Sequence, residues 1–296
     1  MRHAILGAGG VGGTMGACLA HVVETVTLVV RPETLVTQPS TIELISPFGT
    51  WTAAVEWRAS VPAVDVLWLA VKATQLESAL RSIPDAGSVG AFVPLLNGVD
   101  HVAMLRSRFS AERVIPATIG GEMERVGVGR FVHASPFLVL NVSGRGRELL
   151  GSVLDRLRGL GLTCNFMDNE TTLMWSKMAY LAPFALTTTA FNETVGEVMA
   201  GADTCRQLES CVRETCAAAV AEGAKVDADA IIAMTKTAPP GMRSSMQKDV
   251  NNGRTPELDA IGGAVVRAAK RHGLKVPTTE ELMARIERRC GERKAS

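Results

Sequence analysis

The sequence predicts an α/β protein in two parts, an N-terminal domain on a mostly parallel sheet (residues 1–168) and an all-helical C-terminal domain (residues 169–296). Three observations carry this expectation. The chain has 296 residues, and at roughly 150 residues per domain that leaves room for two. Its first half alternates short β-rich runs with helical segments, the rhythm of a parallel sheet with crossover helices. After Asn169, Met, Ala and Leu recur at helical spacing and strand-like runs stop, up to the basic stretch Glu287 to Lys294.

The predicted strands of the main sheet are His3 to Leu6, Thr25 to Val30, Val64 to Val71, Ala91 to Leu96 and Val114 to Ile119. Glu43 to Trp57 holds two β-prone runs around Pro47-Phe48-Gly49 and reads as a hairpin in or beside that sheet. Phe131 to Val142 reads as a second such addition. The apolar run Ala4-Ile5-Leu6 is stopped by glycine after three residues, too short for an export segment.

Lys plus Arg number 31 and Asp plus Glu 30, a formal charge of +1. That balance supplies no electrostatic footprint for nucleic acid or an anionic membrane. No uncharged apolar run approaches the roughly 18 to 20 residues of a spanning helix. The expected partner is therefore a small molecule, with a homodimer left open. Six cysteines are scattered without a C-x-x-C pair, so neither a metal site nor a disulfide framework is expected, and reduced, cytoplasmic thiols are the default. Cys205, Cys211 and Cys216, in an Ala-rich helical stretch, read as buried small apolar residues. His3, His21, His101, His133 and His272 receive no chemical role.

The first strand runs into Gly7-Ala8-Gly9-Gly10-Val11-Gly12, and a helical stretch follows. This is G-x-G-x-x-G at a strand-to-helix turn, the setting in which a Rossmann domain binds a dinucleotide. Gly7 permits the tight turn, Gly9 lets the backbone approach a pyrophosphate and Gly12 lets helix and strand pack closely. The free N–H groups at the helix start face the anion. Arg31 lies nineteen residues beyond Gly12, where NAD enzymes usually carry an acid for the ribose diol. An arginine suits a 2′-phosphate, so NADP (NADPH) is expected over NAD, although Glu33 could take the diol instead.

Polar groups recur where a Rossmann sheet presents ligands, at the carboxyl ends of its strands. They are Val71-Lys72-Ala73-Thr74-Gln75 and Leu96-Asn97-Gly98-Val99-Asp100; Trp175-Ser176-Lys177 then opens the helical domain. With Ser244-Ser245-Met246, Asp249, Thr255-Pro256-Glu257 and the turn His272 to Pro277, these motifs resemble the ketopantoate reductase (2-dehydropantoate 2-reductase) family over nearly the whole chain. The resemblance implies NADPH-dependent reduction of a 2-oxo acid to the 2-hydroxy acid. By position it implies Lys177 as general acid, Glu257 as its partner and a cofactor contact, Ser245 as a substrate contact, and Lys72 and Asn97 near nicotinamide and substrate. The chemistry supports the assignment of Lys177 on its own terms. Hydride addition builds negative charge on the carbonyl oxygen, and an ammonium in reach can stabilise that charge and donate the proton.

The sequence departs from the family pattern beyond Lys177. Where the family carries asparagines, this chain has Leu181, Ala185 and Val195. Lys177, Leu181, Ala185 and Thr188 share a helical face by their spacing, so Leu181 and Ala185 are expected to line a substrate pocket without amides, and a more apolar ketone becomes the alternative substrate. Thr187, Thr188, Asn192 or ordered water could replace the lost amides. An imine reductase and an NADPH-binding sensor are the competing readings. Pro183, which cannot donate to Ala179, predicts a kink in this helix.

Overall fold

The computed structural model describes residues 1–22 and 25–295. The chain forms two compact units, Met1–Leu96 with His101–Leu173, and Asn97–Asp100 with Met174–Ser296. The sequence pattern alone changes at 168/169; the units part after Leu173, inside a helix, and the short segment 97–100 goes with the second.

Among the described residues the first unit holds twelve strands: β1 (His3–Leu6), β2 (Val26–Val29), β3 (Thr41–Ser46), β4 (Gly49–Ala54), β5 (Glu56–Arg58), β6 (Val64–Leu69), β7 (Val89–Pro94), β8 (Ala117–Gly120), β9 (Met123–Gly127), β10 (Arg130–His133), β11 (Val139–Ser143) and β12 (Thr163–Met167). Its main sheet is parallel, in the order β5-β2-β1-β6-β7, with β1 at the centre and the glycine turn at its carboxyl end. Alternation along β1 builds two cores. Ile5 packs with Leu28, Val66 and Trp68, whereas Ala4 and Leu6 pack with Val29, Leu67 and Phe92. Both faces are covered, which is why the strands of a parallel sheet read as continuous apolar runs.

Three sequence expectations about this unit need correction. Val114 to Ile119 is not one strand. Val114 extends the main sheet through a bridge to Phe92, and β8 pairs antiparallel with β11 in a separate sheet, β12-β11-β8. Pro116 stands at the break, because its nitrogen has no hydrogen for a ladder. Phe131 to Val142 likewise divides between two sheets, β10 lying in the four-stranded sheet β4-β3-β10-β9. Glu43 to Trp57 contains the hairpin β3-β4, but Trp57 belongs to β5 at the edge of the main sheet. The strand β12 was not expected from the sequence.

The helices of this unit are α1 (Gly10–Val22), α2 (Pro32–Leu35), α3 (Leu76–Ala79), α4 (Asp100–Phe109, whose first residue goes with the second unit) and α5 (Arg147–Gly159). Trp51 fixes α1 against the four-stranded sheet through its Nε1–H, which donates to the Ala17 carbonyl at 3.2 Å.

The second unit is helical: α6 (Glu170–Phe191, entered from the first unit), α7 (Val195–Ala200), α8 (Ala202–Ala221), α9 (Ala228–Lys236), α10 (Ser245–Asn251), α11 (Ala264–Arg271) and α12 (Pro277–Ala295). α6 is apolar on every side and buried, as expected of a central helix. Met178, Ala182, Ala185 and Leu186 join one core, and Ala179 joins another with Val198, Leu208 and Val212. It runs unbroken through Pro183. It ends at Asn192, in the left-handed region at φ 59°, with Arg285 donating to the Ala190 carbonyl at 3.0 Å. Cys211 and Cys216 are buried, and Cys205 is half-buried. No helix among the described residues is long and apolar enough to cross a membrane.

Candidate active site

The glycine turn is built from close contacts that only glycine permits. Gly7 sits at φ 100°, and its N–H donates to Val29 at 3.0 Å, tying the turn to β2. A Cβ on Gly12 would lie 1.8 Å from the Gly7 carbonyl oxygen, and one on Gly10 would lie 2.2 Å from the Met123 carbonyl oxygen. Gly9 differs, because a Cβ there would meet nothing within 4 Å. Ala8 is buried beneath the turn, and Val11 is half-buried. The first intrahelical bond of α1 runs from Gly13 N–H to the Gly9 carbonyl at 2.8 Å. The N–H groups of Gly10, Val11 and Gly12 thus have no partner inside the helix. An exposed glycine before three such amides, at the start of a 13-residue helix, fits a dinucleotide pyrophosphate.

Around this turn, Arg31 opens α2 in extended backbone at the end of β2 and is exposed; its Nε lies 3.3 Å from Oε1 of Glu33. The two candidates for the ribose position are therefore paired with each other. Lys72 is half-buried in the loop after β6, where its carbonyl accepts from Gln75 N–H at 2.9 Å and starts a 3₁₀ turn.

In the second unit three sequence-predicted residues converge. The Lys177 ammonium donates to Asn97 Oδ1 at 2.9 Å, and Asn97 Nδ2 donates to Glu257 Oε2 at 3.0 Å. Only one orientation of the amide serves both partners, so the ammonium and the carboxylate together fix it. Lys177 projects from α6; Glu257 is buried just before the helical turn Asp259–Gly263, and its carbonyl accepts from Ile261 N–H at 3.0 Å. Burial pulls the Lys177 pKa down to about 8, against the opposing pull of the Glu257 carboxylate.

The two serines of the S-S-M motif have different surroundings. Ser244 is buried and caps α10: its Oγ accepts from Gln247 N–H at 3.1 Å and lies 2.9 Å from the Thr188 hydroxyl oxygen. Ser245 is exposed on the first turn.

The positions of the missing amides need correction. Ala185 and Val195 are each 1% exposed, Ala185 within the apolar core of α6. Leu181 is half-buried, packed at the margin of that core, and is the only one of the three with surface to offer a ligand. The groups considered as replacements are already engaged. The Thr187 hydroxyl donates to the Pro183 carbonyl at 2.7 Å, Thr188 donates to Phe184 at 2.7 Å, and Asn192 Oδ1 accepts from Asn251 at 2.9 Å.

Sequence reasoning did not single out Arg267, which donates to Asp100 and Asp259. The two-turn spacing from Asp259 to Arg267 was a readable signal, whereas the partnership with Asp100, 167 residues away, was not.

Two family models match the chain, "Ketopantoate reductase PanE/ApbA" over residues 3–140 and "Ketopantoate reductase PanE/ApbA C terminal" over residues 169–289. A 2-dehydropantoate 2-reductase of Mycobacterium tuberculosis is 30% identical over 228 residues, which cover 74% of each chain. The chain belongs to the ketopantoate reductase family. A further relative in this oxidoreductase family, the 2-dehydropantoate 2-reductase of Caulobacter vibrioides, is 28% identical over 95% of this chain and 96% of its own. The fold is also shared with a D-mandelate dehydrogenase solved with NADH and anilino(oxo)acetate, at 22% identity, 99% coverage of both chains and a TM-score of 0.85.

Proposed function

We propose that this member of the ketopantoate reductase family is an NADPH-dependent reductase of a 2-oxo acid or a more apolar ketone, with Lys177 as general acid. The observation that carries the reading is the Lys177–Asn97–Glu257 array, which holds an ammonium of lowered pKa in a fixed direction. When bound, NADPH supplies a hydride to the carbonyl carbon. Lys177 Nζ donates one proton to the carbonyl oxygen and is left as a neutral amine, which regains a proton from water. Asn97 retains a second Nζ hydrogen, so the amine does not swing away as it loses charge. An acid with a pKa near the working pH is suited to such a transfer.

Ser245, with its exposed hydroxyl, serves as a donor to the substrate carboxylate. Arg31 serves the 2′-phosphate, and Gly9 with the amides of Gly10, Val11 and Gly12 serves the pyrophosphate. Lys72 adds positive charge at the carboxyl end of β6.

The substrate reading follows from Leu181. A site made for a hydroxylated acid provides hydrogen-bond partners for the hydroxyl, and each group left unpaired on burial costs about 1–3 kcal/mol. With Leu181 apolar and Thr187, Thr188 and Asn192 engaged elsewhere, the structure supports a ketone with an apolar tail over 2-dehydropantoate. The D-mandelate dehydrogenase with its aromatic oxo-acid ligand supports the same direction, since this fold accommodates such a molecule. The test is a screen of 2-oxo acids and ketones by NADPH absorbance, with Lys177→Ala beside the unmutated protein. Turnover abolished by the variant supports the reading; a panel with no turnover, or turnover indifferent to Lys177, overturns it.

A further inference from the structure

Besides the hydrogen bonds of Asn97, the segment Asn97–Asp100 is tied into the second unit by the Arg267 side chain. Nε and Nη2 of Arg267 donate to Oδ2 of Asp100 at 2.9 and 2.7 Å, while Nη1 donates to Oδ1 of Asp259 at 2.6 Å and Nη2 to the Asp259 carbonyl at 2.9 Å. One planar guanidinium thus joins two stretches of chain. Asp100 lies three residues after Asn97, and Asp259 lies two residues after Glu257. The joined stretches are the same two that the Asn97–Glu257 hydrogen bond connects.

The contact between them leaves no slack. Gly98 is at φ 92°, and a Cβ there would lie 2.5 Å from the carbonyl oxygen of Ala260. Ala260 belongs to Asp259–Gly263, which is wound as a π-helix before α11 begins. Such turns are rare and tend to occur at functional sites. Arg267 sits on α11, directly beyond that turn.

We propose that Arg267 is a positioning residue for proton transfer: by fastening Asp100 to the Asp259 turn, it fixes the Asn97 amide between Lys177 and Glu257. The proposal rests on the reductase reading of Lys177. A surface ion pair alone is worth little, but a guanidinium shared by two carboxylates and a carbonyl sets a geometry that a point charge cannot. Asn97 must meet an ammonium and a carboxylate at once, and a displacement of about 1 Å in a catalytic array is enough to lower a rate markedly.

The decisive variant is Arg267→Lys in the full-length protein, since it keeps the charge near Asp100 and Asp259 while removing the two-ended grip. Two measurements are made beside Arg267→Ala and the unmutated protein. The first is kcat and KM with the ketone that the screen yields. The second, which needs neither substrate nor cofactor, is the pH dependence of Lys177 acylation by acetic anhydride, read by peptide mass spectrometry.

Both variants are expected to lower kcat about tenfold or more, consistent with a displaced acid, with KM for NADPH unchanged. Both should raise the labelling midpoint of Lys177, because a loosened segment admits water to the ammonium. If Arg267→Lys matches the unmutated protein in both measurements, Arg267 acts only as a charge and the proposal is overturned. A fall in thermal stability without change in kcat or in the labelling midpoint overturns it equally. If no ketone is turned over by the unmutated protein, the reductase reading fails, and the labelling experiment still decides whether Arg267 sets the environment of Lys177.

Discussion

The Lys177 ammonium and the Asn97 amide lie 2.9 Å apart, although 80 residues separate them in the chain. Asn97 can accept from the lysine because its Nδ2 is held by Glu257, so the direction of the Nζ–H bond is set before any substrate arrives. Lys177→Ala should lower turnover by about 10² or more as the positioned acid is lost, with NADPH affinity nearly unchanged. Asn97→Ala should reduce kcat in the same direction but by less, because the ammonium remains without its guide. Steady-state kinetics with the screened ketone and a direct NADPH titration check both. Equal turnover in Lys177→Ala and the unmutated protein would return the lysine to a structural role.

The pH dependence follows from the lowered pKa of Lys177, about 8, with burial as the main cause. Reduction needs the ammonium, so kcat/KM for the ketone should be level below pH 8 and fall above it; oxidation of the alcohol needs the neutral amine and should show the opposite profile. Glu257 raises the pKa against burial, so Glu257→Gln should move both profiles to lower pH. The contribution of this group to stability runs opposite to the reduction profile. Between about 8 and the ordinary lysine value of 10.5 the unfolded chain binds more protons than the folded one, so this group's contribution to stability rises with pH through that window.

Gly9 and Gly12 should separate binding from packing. A methyl at Gly9 enters open space, so Gly9→Ala should keep its Tm while losing dinucleotide affinity where the pyrophosphate must approach. A methyl at Gly12 meets the Gly7 carbonyl oxygen at 1.8 Å. Gly12→Ala should therefore destabilise the fold by about 1–3 kcal/mol or more, as overpacking does. Thermal melts and NADPH titrations of the two variants give the comparison; a Gly9→Ala variant that binds NADPH normally would remove this glycine from the cofactor site.

Arg31 should set cofactor preference. A charge-assisted contact to the 2′-phosphate is worth about 1.5–3 kcal/mol, so Arg31→Ala should erase most of a preference for NADPH over NADH. Glu33→Ala should increase the preference, since it frees Arg31 from its partner at 3.3 Å. Equal Kd values for both cofactors in the unmutated protein would contradict this.

The two α6 positions should respond differently to asparagine. Leu181→Asn, at a half-buried position, should raise kcat/KM for 2-dehydropantoate relative to an apolar-tailed ketone, with little change in Tm. Ala185→Asn places an amide in a core 1% exposed, and should cost stability by about 1–3 kcal/mol per polar group left unpaired. Efficient native turnover of 2-dehydropantoate, unimproved by Leu181→Asn, would show that the leucine is silent in selectivity.

The sequence by itself determined the parts whose signal is local. Periodicity separated an α/β half from a helical one, because a parallel strand and an amphipathic or buried helix each leave a repeat readable over a few residues. The glycine turn was legible because its requirements, a positive φ and close backbone approach, act on consecutive residues. Lys177 and Glu257 were paired only through the family resemblance, and the Asn97 amide that bridges them was legible only as part of a separate motif. Tertiary structure decided what depends on distant chain segments meeting. It placed Val114 and β8 in different sheets, with Pro116 between them, since strand partnership is not encoded in a strand's own pattern. It engaged Thr187, Thr188 and Asn192 with nearby carbonyls and amides, and buried Ala185, so a face drawn from spacing alone could not tell a pocket wall from a core. It also joined Arg267 to Asp100, because hydrogen bonding acts over ångströms in space whatever the separation along the chain.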